Sequence, residues 1–227
     1  MGPTTAIAER RTSADDVYDH LYSQIVSLNI LPGTKMSEVE IARQFEVSRQ
    51  PVREAFIRLG NSGLLLIRPQ KATVVRKFSR QGISNARFIR TAIEVEILRK
   101  ACQERDAAEL ALIDENLSAQ DRAIGARDAD RFHTLDYEFH RSLCSAADCD
   151  FAFQEIANNK AQVDRLCMLS LAHEDEMKVL LGDHREIFEA LRDRDEERIE
   201  SAIRLHLGRL DGVVEVIRAG HMDYFED

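Results

Sequence analysis

SRQPVREAFIRLG, residues 48–60, is the stretch from which the fold follows. Val52, Ala55, Phe56 and Leu59 recur at helical spacing and form one apolar stripe. Pro51 suits the first turn of a helix, where the N–H it lacks has no intrahelical partner. Ser48 stands where an N-cap side chain accepts from a free backbone N–H. Arg49 and Arg53, four apart, share a second face near the helix start. That is where a recognition helix enters a major groove, and arginine can donate two hydrogen bonds to guanine.

The flanking sequence extends this reading. Ser37 and Glu40 form a capping-box pattern ahead of Ile41, Ala42 and Phe45, which predicts a preceding helix. The short Glu46-Val47 link is what a helix-turn-helix requires. Val17, Leu21, Ile25 and Leu28 predict a third helix, ended by the turn Leu31-Pro32-Gly33. Gly63 closes the reading helix, where left-handed geometry is cheap only for glycine. Residues 64–68 and 72–76 read as two short strands around Pro69-Gln70-Lys71. The expectation is three helices and a β-hairpin wing. Charge agrees with it. The chain carries −9 overall, yet residues 49–76 hold Arg49, Arg53, Arg58, Arg68, Lys71 and Arg76 against Glu54 alone. One end is suited to phosphate and the rest is not.

Residues 15–76 resemble the winged-helix domain of GntR-type transcription regulators. The likeness is carried by PGTKMSEVEIARQFEVSRQPVREAFIRLGNSGLL, residues 32–65, and most specifically by VSR-x-PVREA. The resemblance implies a homodimer on a palindromic, double-stranded operator whose affinity a small metabolite alters. It places Arg49 and Arg53 at bases or nearby phosphates, with Ser48 and Gln50 beside them. It lays the wing, with Arg68 and Lys71, along the minor groove. Two positions depart from the family pattern. Gln50 stands where Thr is usual, which opens the base preference. Ala72 stands near the usual wing glycine, which opens the wing's turn.

At 227 residues the chain is long enough for two domains of ordinary size. The expected division is an N-terminal arm over 1–13, a winged helix-turn-helix over 14–77, a helical effector-binding domain over 78–221 and a tail over 222–227. The longest strongly apolar run, residues 64–67, is far too short to span a bilayer. The N-terminal stretch has no apolar signal region, so a cytoplasmic protein without a membrane partner is expected. Cys102, Cys144, Cys149 and Cys167 form no CxxC pair and read as inert thiols in a reducing compartment.

Proline is absent from 79–219, and one helical pattern follows another there. Helices are predicted over 80–103, 106–127, 130–146, 150–171, 175–191 and 195–219, an antiparallel bundle. In the last, Ile199, Ile203, His206, Leu210, Val213 and Ile217 line one interior stripe. Asp136 and His140, four apart, face the same way beside Phe132, Phe139 and Leu143. His184 follows Asp183, which can cap a helix with Glu186 three residues later. Asp136, His140, His184 and His206 could thus converge. One carboxylate and three imidazoles suit a divalent ion such as Zn²⁺, Ni²⁺ or Mn²⁺. His133, one turn before Asp136, is a rival placed at the helix entrance in solvent. His20, His173 and His221 read as surface residues.

The helical region resembles the FCD effector domain of GntR regulators. DYEFH (136–140), GDHREIFEAL (182–191) and AIRLHL (202–207) match segments that hold a metal in that family, which assigns Asp136, His140, His184 and His206 as ligands. FIRTAIEVEILRKAC (88–102) resembles the family's first effector helix, whose arginine reaches into the pocket. Arg90 is therefore the expected anchor for a small organic acid, with Arg87 and Arg165 as further candidates. The alternative reading of Arg90 is an intrahelical pair with Glu94. Two other functions compete. The metal itself could be the signal, or it could activate water as in a hydrolase. The hydrolase has little support: no HExxH, P-loop or GxSxG motif and no evident general base. The chain is expected not to be an enzyme.

Overall fold

The computed structural model describes residues 12–171 and 174–226. They fall into two compact units, Met1–Arg76 and Lys77–Asp227.

The first unit opens with α1 (Ser13–Val26), capped by Thr12 in a capping box with Asp15. Of the arm expected over 1–13, residues 1–11 lie outside the described residues, Thr12 caps this helix and Ser13 begins it. There follow β1 (Lys35–Met36), α2 (Glu38–Gln44), α3 (Arg49–Asn61), β2 (Leu65–Leu66) and β3 (Thr73–Val75). Val17, Leu21 and Ile25 pack against Val52, Ala55, Phe56 and Leu59, with Leu64, Leu65 and Val75 closing the core. The α2–α3 turn places Glu46 at φ 55°, and the Val47 amide returns to the Ala42 carbonyl at 3.0 Å. Ser48 is the N-cap residue of α3 but makes no side-chain cap bond. Part of the reason is local. A cap side chain bonds the second or third helical N–H; the third residue of α3 is Pro51, which has none, so only the Gln50 amide is left for it. Gly63, at φ 72°, ends the α3 region as expected.

The strands form an antiparallel sheet in the order β1-β3-β2, with Leu65 opposite Val75 and Lys35 opposite Val74. β1 is the part that the sequence reading missed, since two residues carry no alternation. In the wing the Lys71 amide bonds the Arg68 carbonyl at 3.2 Å. Pro69 and Gln70 fill the central places of that turn, and Gln70 takes φ 57°. Proline followed by a left-handed residue is the type II arrangement that glycine usually completes. The left-handed demand of this wing therefore falls on Gln70, two residues before Ala72.

The second unit is helical: α4 (Arg80–Glu104), α5 (Ala107–Ala126), α6 (Ala129–Ser145), α7 (Asp150–Leu171), α8 (Glu174–Asp193), α9 (Glu196–Gly208) and α10 (Leu210–Gly220). α4 packs on α7 and α9, α5 on α6 and α8, and α8 on α9. Leu98, Ile113, Phe132, Phe139, Ile187, Leu191 and Ile203 are in the main core. The helix expected over 195–219 is two. At Arg209 the backbone stays right-handed (φ −59°, ψ −26°), but the bonding shifts. The Arg209 amide is shared between Leu205 O at 3.2 Å and His206 O at 3.3 Å, and Arg209 O accepts from both the Gly212 amide at 3.1 Å and the Val213 amide at 3.3 Å, a tighter turn mixed into the helix. Gly208 and Gly212, poor helix formers, flank the break. After α10 the chain turns through Met222–Tyr224 and Phe225 buries itself against Phe78. The Phe78 amide donates to Tyr224 O, and the Glu226 amide donates to Phe78 O, both at 2.8 Å.

Candidate metal centre and nucleic-acid interface

In the first unit Ser48, Arg49, Gln50, Arg53, Arg68 and Lys71 are all exposed. The first four cluster at the start of α3, and the other two flank the wing turn. Glu38 of α2 gathers the two helix arginines. Its carboxylate lies 2.9 Å from Arg49 and 3.4 Å from Arg53. Partial burial raises the Glu38 carboxyl, but hydrogen bonds from Arg49 and Arg53 outweigh it, and the net shift is downward. The sequence reading missed Glu38 because it sits eleven residues from Arg49. Arg58 turns inward instead. It pairs with Asp15 at 2.8 Å and stacks over Tyr18 at 4.1 Å.

In the second unit four side chains from three helices meet. Asp136 and His140 come from α6, His184 from α8 and His206 from α9. Each offers one ligating atom, those atoms lie within 4.8 Å of one another, and all four residues are buried. His184 is mid-helix, not in a first turn, because α8 begins ten residues earlier at Glu174. Asp183 is consequently no cap. It receives an ion pair from Arg209 and lies 3.6 Å from His206 Nδ1.

The three imidazoles share one orientation. His140 Nδ1 lies 2.7 Å from Glu94 Oε2, and His184 Nδ1 lies 2.8 Å from Gln120 Oε1. Their Nε2 atoms point toward the middle. His140 Nε2 and His206 Nε2 are 3.3 Å apart, and His184 Nε2 is 3.3 Å from Asp136 Oδ1. Protonation supports ligation. Burial lowers the His184 and His206 pKa values, which favours neutral rings. Burial raises the Asp136 carboxyl, but Lys160, His184 and His140 together hold it well below the carboxylate range. His184 Nε2 is buried and makes no hydrogen bond. An orphaned ring nitrogen facing a carboxylate oxygen, with acceptors behind the rings, fits a divalent ion. Asp136, His140, His184 and His206 are the residues that would hold it.

A cavity of about 80 Å³ adjoins the cluster; Arg87, Arg90, Asp136, His140, Lys160 and His206 are among its lining. Arg90 is buried, donates to Glu94 at 2.8 Å and lies 3.4 Å from His140 Nε2. Arg90 makes the intrahelical pair with Glu94 and also lines the cavity. Arg87 is on the wall and pairs with Asp211. Arg165 is not on the wall; it is fully buried, with its guanidinium 4.6 Å over the Phe78 ring. His133 is no solvent residue, since its Nε2 lies 3.3 Å from buried Asp164. His20 and His221 are exposed, and His173 lies outside the described residues. All four cysteines are free, and burial pushes the Cys144 thiol up to about 12.

The sequence reading missed Lys160, which bridges Asp136 at 2.9 Å and Asp164 at 2.7 Å. The signal was present: Lys160 and Asp164 stand four apart on α7 among Ala161, Val163 and Leu166. Gln120 was missed as well, though it interrupts the apolar run Ile113, Leu117, Ile124 of α5.

A winged helix with exposed arginines at the start of its reading helix, followed by a helical unit, is the build of a DNA-binding regulator. The comparisons place it further. "Bacterial regulatory proteins, gntR family" matches residues 13–75, and "FCD domain" matches residues 86–209. The chain belongs to the GntR family, with an FCD effector domain, and is a DNA-binding transcriptional regulator, not an enzyme. It is 40% identical over 211 residues to the HTH-type transcriptional repressor RspR of Escherichia coli K12, covering 93% of this chain and 92% of that one. It is 32% identical to a regulator in an unstable DNA locus of Streptomyces ambofaciens, covering 95% of this chain and 90% of that one. Among solved structures it resembles E. coli McbR/YncC, with a TM-score of 0.77 at 17% identity over 91% of this chain and 98% of that chain. A putative GntR regulator of Rhodococcus sp. RHA1 gives 0.72 at 22% over the same shares. These structures attest the fold. No described helix is long and apolar enough to cross a membrane.

Proposed function

We propose that this regulator binds a palindromic operator as a homodimer and that a small organic acid, held in the metal-lined cavity, changes its operator affinity. One observation carries the effector reading: Arg90 and Lys160, both buried, face the same cavity as Asp136, His140 and His206. When bound, a divalent ion supplies open positions for a carboxylate oxygen. Arg90 supplies a planar donor fork for the same carboxylate. Lys160 offers a second positive group for a hydroxyl or further carboxylate. A sugar acid or short hydroxy acid fits that chemistry.

The chain also offers a path for the response. Leu210 and Val213 of α10 line the cavity. Val214 and Ile217 of the same helix pack with Phe78 and Phe225. Phe78 follows β3 of the wing by three residues. A ligand that moves α10 would bear on the segment through which the chain leaves the DNA-binding unit. The ligand must bind the two states with different affinity for this to act.

The test is calorimetry of zinc-loaded protein across sugar acids and hydroxy acids. It is paired with fluorescence anisotropy on DNA upstream of the protein's own gene and on a scrambled duplex. Sequence-dependent binding that one acid alters at constant metal occupancy is expected. Operator affinity that follows free metal with no acid present would make the metal the signal. No acid binding to the loaded protein would refute the effector reading.

A further inference from the structure

We propose that Asn116 and Gln120 form a relay that fixes which ring nitrogen of His184 carries the proton, and so keeps the other open to a metal ion. The role for the metal rests on the reading above; the relay itself is anchored on a backbone carbonyl. Leu135 O can only accept, and Asn116 Nδ2 donates to it at 3.1 Å. Asn116 Oδ1 is then left to accept from Gln120 Nε2 at 2.7 Å. Gln120 Oε1 remains, 2.8 Å from His184 Nδ1. An amide oxygen has no proton to give, so His184 Nδ1 carries the hydrogen and Nε2 keeps its lone pair. Gln120 and His184 are 0% exposed and Asn116 is 8% exposed. Reversing any link would leave a buried polar group unpaired, which the low-dielectric interior penalises.

The other end of the ring shows what the relay prevents. His184 Nε2 faces Asp136 Oδ1 at 3.3 Å. In the opposite tautomer Nε2–H would donate to that oxygen, and two of the four ligating groups would satisfy each other. The relay opposes this self-capping. It also does so without charge. Glu94 and Asp183 stand behind His140 and His206 as carboxylates, whereas the group behind His184 is an uncharged amide. The amide of Gln120 favours one tautomer of the neutral ring.

The test uses the full chain. Nitrogen-15 NMR of the imidazoles at pH 8, without metal, reads the tautomer, and competition with a chelating dye reads Zn²⁺ affinity. Wild type, Gln120→Leu, Asn116→Leu and Asn116→Asp are compared. His184 should be Nδ1–H in wild type. Gln120→Leu and Asn116→Leu should move it toward Nε2–H and weaken zinc binding by about 10- to 100-fold. Asn116→Asp still only accepts from Gln120, so it should keep the wild-type tautomer. A wild-type ring protonated at Nε2, or a tautomer unmoved in Gln120→Leu, would overturn the relay. The wild-type spectrum decides the first point even if a leucine variant fails to fold. The expected tautomer pattern in a wild type that binds no zinc would support the relay and overturn the metal reading.

Discussion

Lys160→Met is the perturbation whose size the structure sets most directly. One ammonium serves two buried carboxylates, at 2.9 Å from Asp136 and 2.7 Å from Asp164. Lys160 is 3% exposed, Asp164 0% and Asp136 8%. Methionine keeps the length of the side chain and removes the charge. Breaking a buried pair by deleting one partner costs about 3–5 kcal/mol, because the other charge is stranded. His133 remains beside Asp164, and His184 and His140 beside Asp136, so the lower end, about 3 kcal/mol, is expected at pH 7 without metal.

The pH dependence gives a second check. Burial raises the Asp164 carboxyl, but Lys160 and His133 bring it down to about 2. A depressed carboxylate contributes stability that is present above its unfolded value, near 3.9, and is lost as pH falls toward 2. In the variant, burial loses its main counterweight and the carboxyls titrate higher when folded than when unfolded. The folded variant then takes up protons first and gains stability as pH falls from 7 toward 4. The gap to wild type should therefore narrow with acid. Urea unfolding followed by circular dichroism at pH 7 and pH 5, with chelator present, measures both effects. A loss below about 1 kcal/mol at pH 7, or a gap that does not move with pH, would refute the reasoning.

Three further outcomes follow. Arg49→Ala and Arg53→Ala should each cost about 1–3 kcal/mol of specific operator binding, whereas Lys71→Ala should weaken all duplexes alike and reduce the salt slope by about 1; anisotropy at several salt concentrations separates these, and unchanged binding in all three would remove the recognition scheme. Gly63→Ala, at φ 72°, should lower stability by about 1–2 kcal/mol, and a thermal melt at the wild-type midpoint would contradict the left-handed requirement. Phe225→Ala should cost about 3–5 kcal/mol, because Phe225 is 4% exposed and its ring centroid lies 5.2 Å from that of Phe78; a neutral result in urea would mean that the C-terminal contact contributes nothing.

Periodicity made most of the fold legible. Val52, Ala55, Phe56 and Leu59 could bury one face only as a helix, and proline-free spacing after residue 79 left little but a bundle. What escaped depended on contacts distant in sequence. β1 exists because Lys35 and Met36 meet Val74 and Thr73, and no two-residue stretch announces that. The α9–α10 break depends on hydrogen bonds at Arg209 that an unbroken apolar stripe conceals. Within the site, DxxxH and two later histidines marked the inward groups. Their supporting partners, Glu94, Gln120 and Lys160, lie 46, 64 and 24 residues from the ring or carboxylate each one touches. Spacing rules do not reach that far.

A ligand site and a purely structural network would arrange buried polar groups differently. Arg90, Glu94, Asn116, Gln120, Asp136, His140, Lys160, Asp164, Asp183, His184 and His206 are all buried in the second unit. A bundle needs none of them to fold, since well-packed apolar residues of similar volume are often neutral or more stable than buried ion pairs. If they served only packing, they would satisfy one another. They do so at the periphery, where Lys160 takes Asp164 and Gln120 takes Asn116. At the centre the pairing is less complete: His140 Nε2 and His206 Nε2 lie 3.3 Å apart, with the Arg90 guanidinium 3.4 Å from His140 Nε2, and His184 Nε2 faces a carboxylate oxygen without a hydrogen bond. Four ligating atoms within 4.8 Å of one another, with the pairing between them left incomplete, are what the metal reading proposed above rests on.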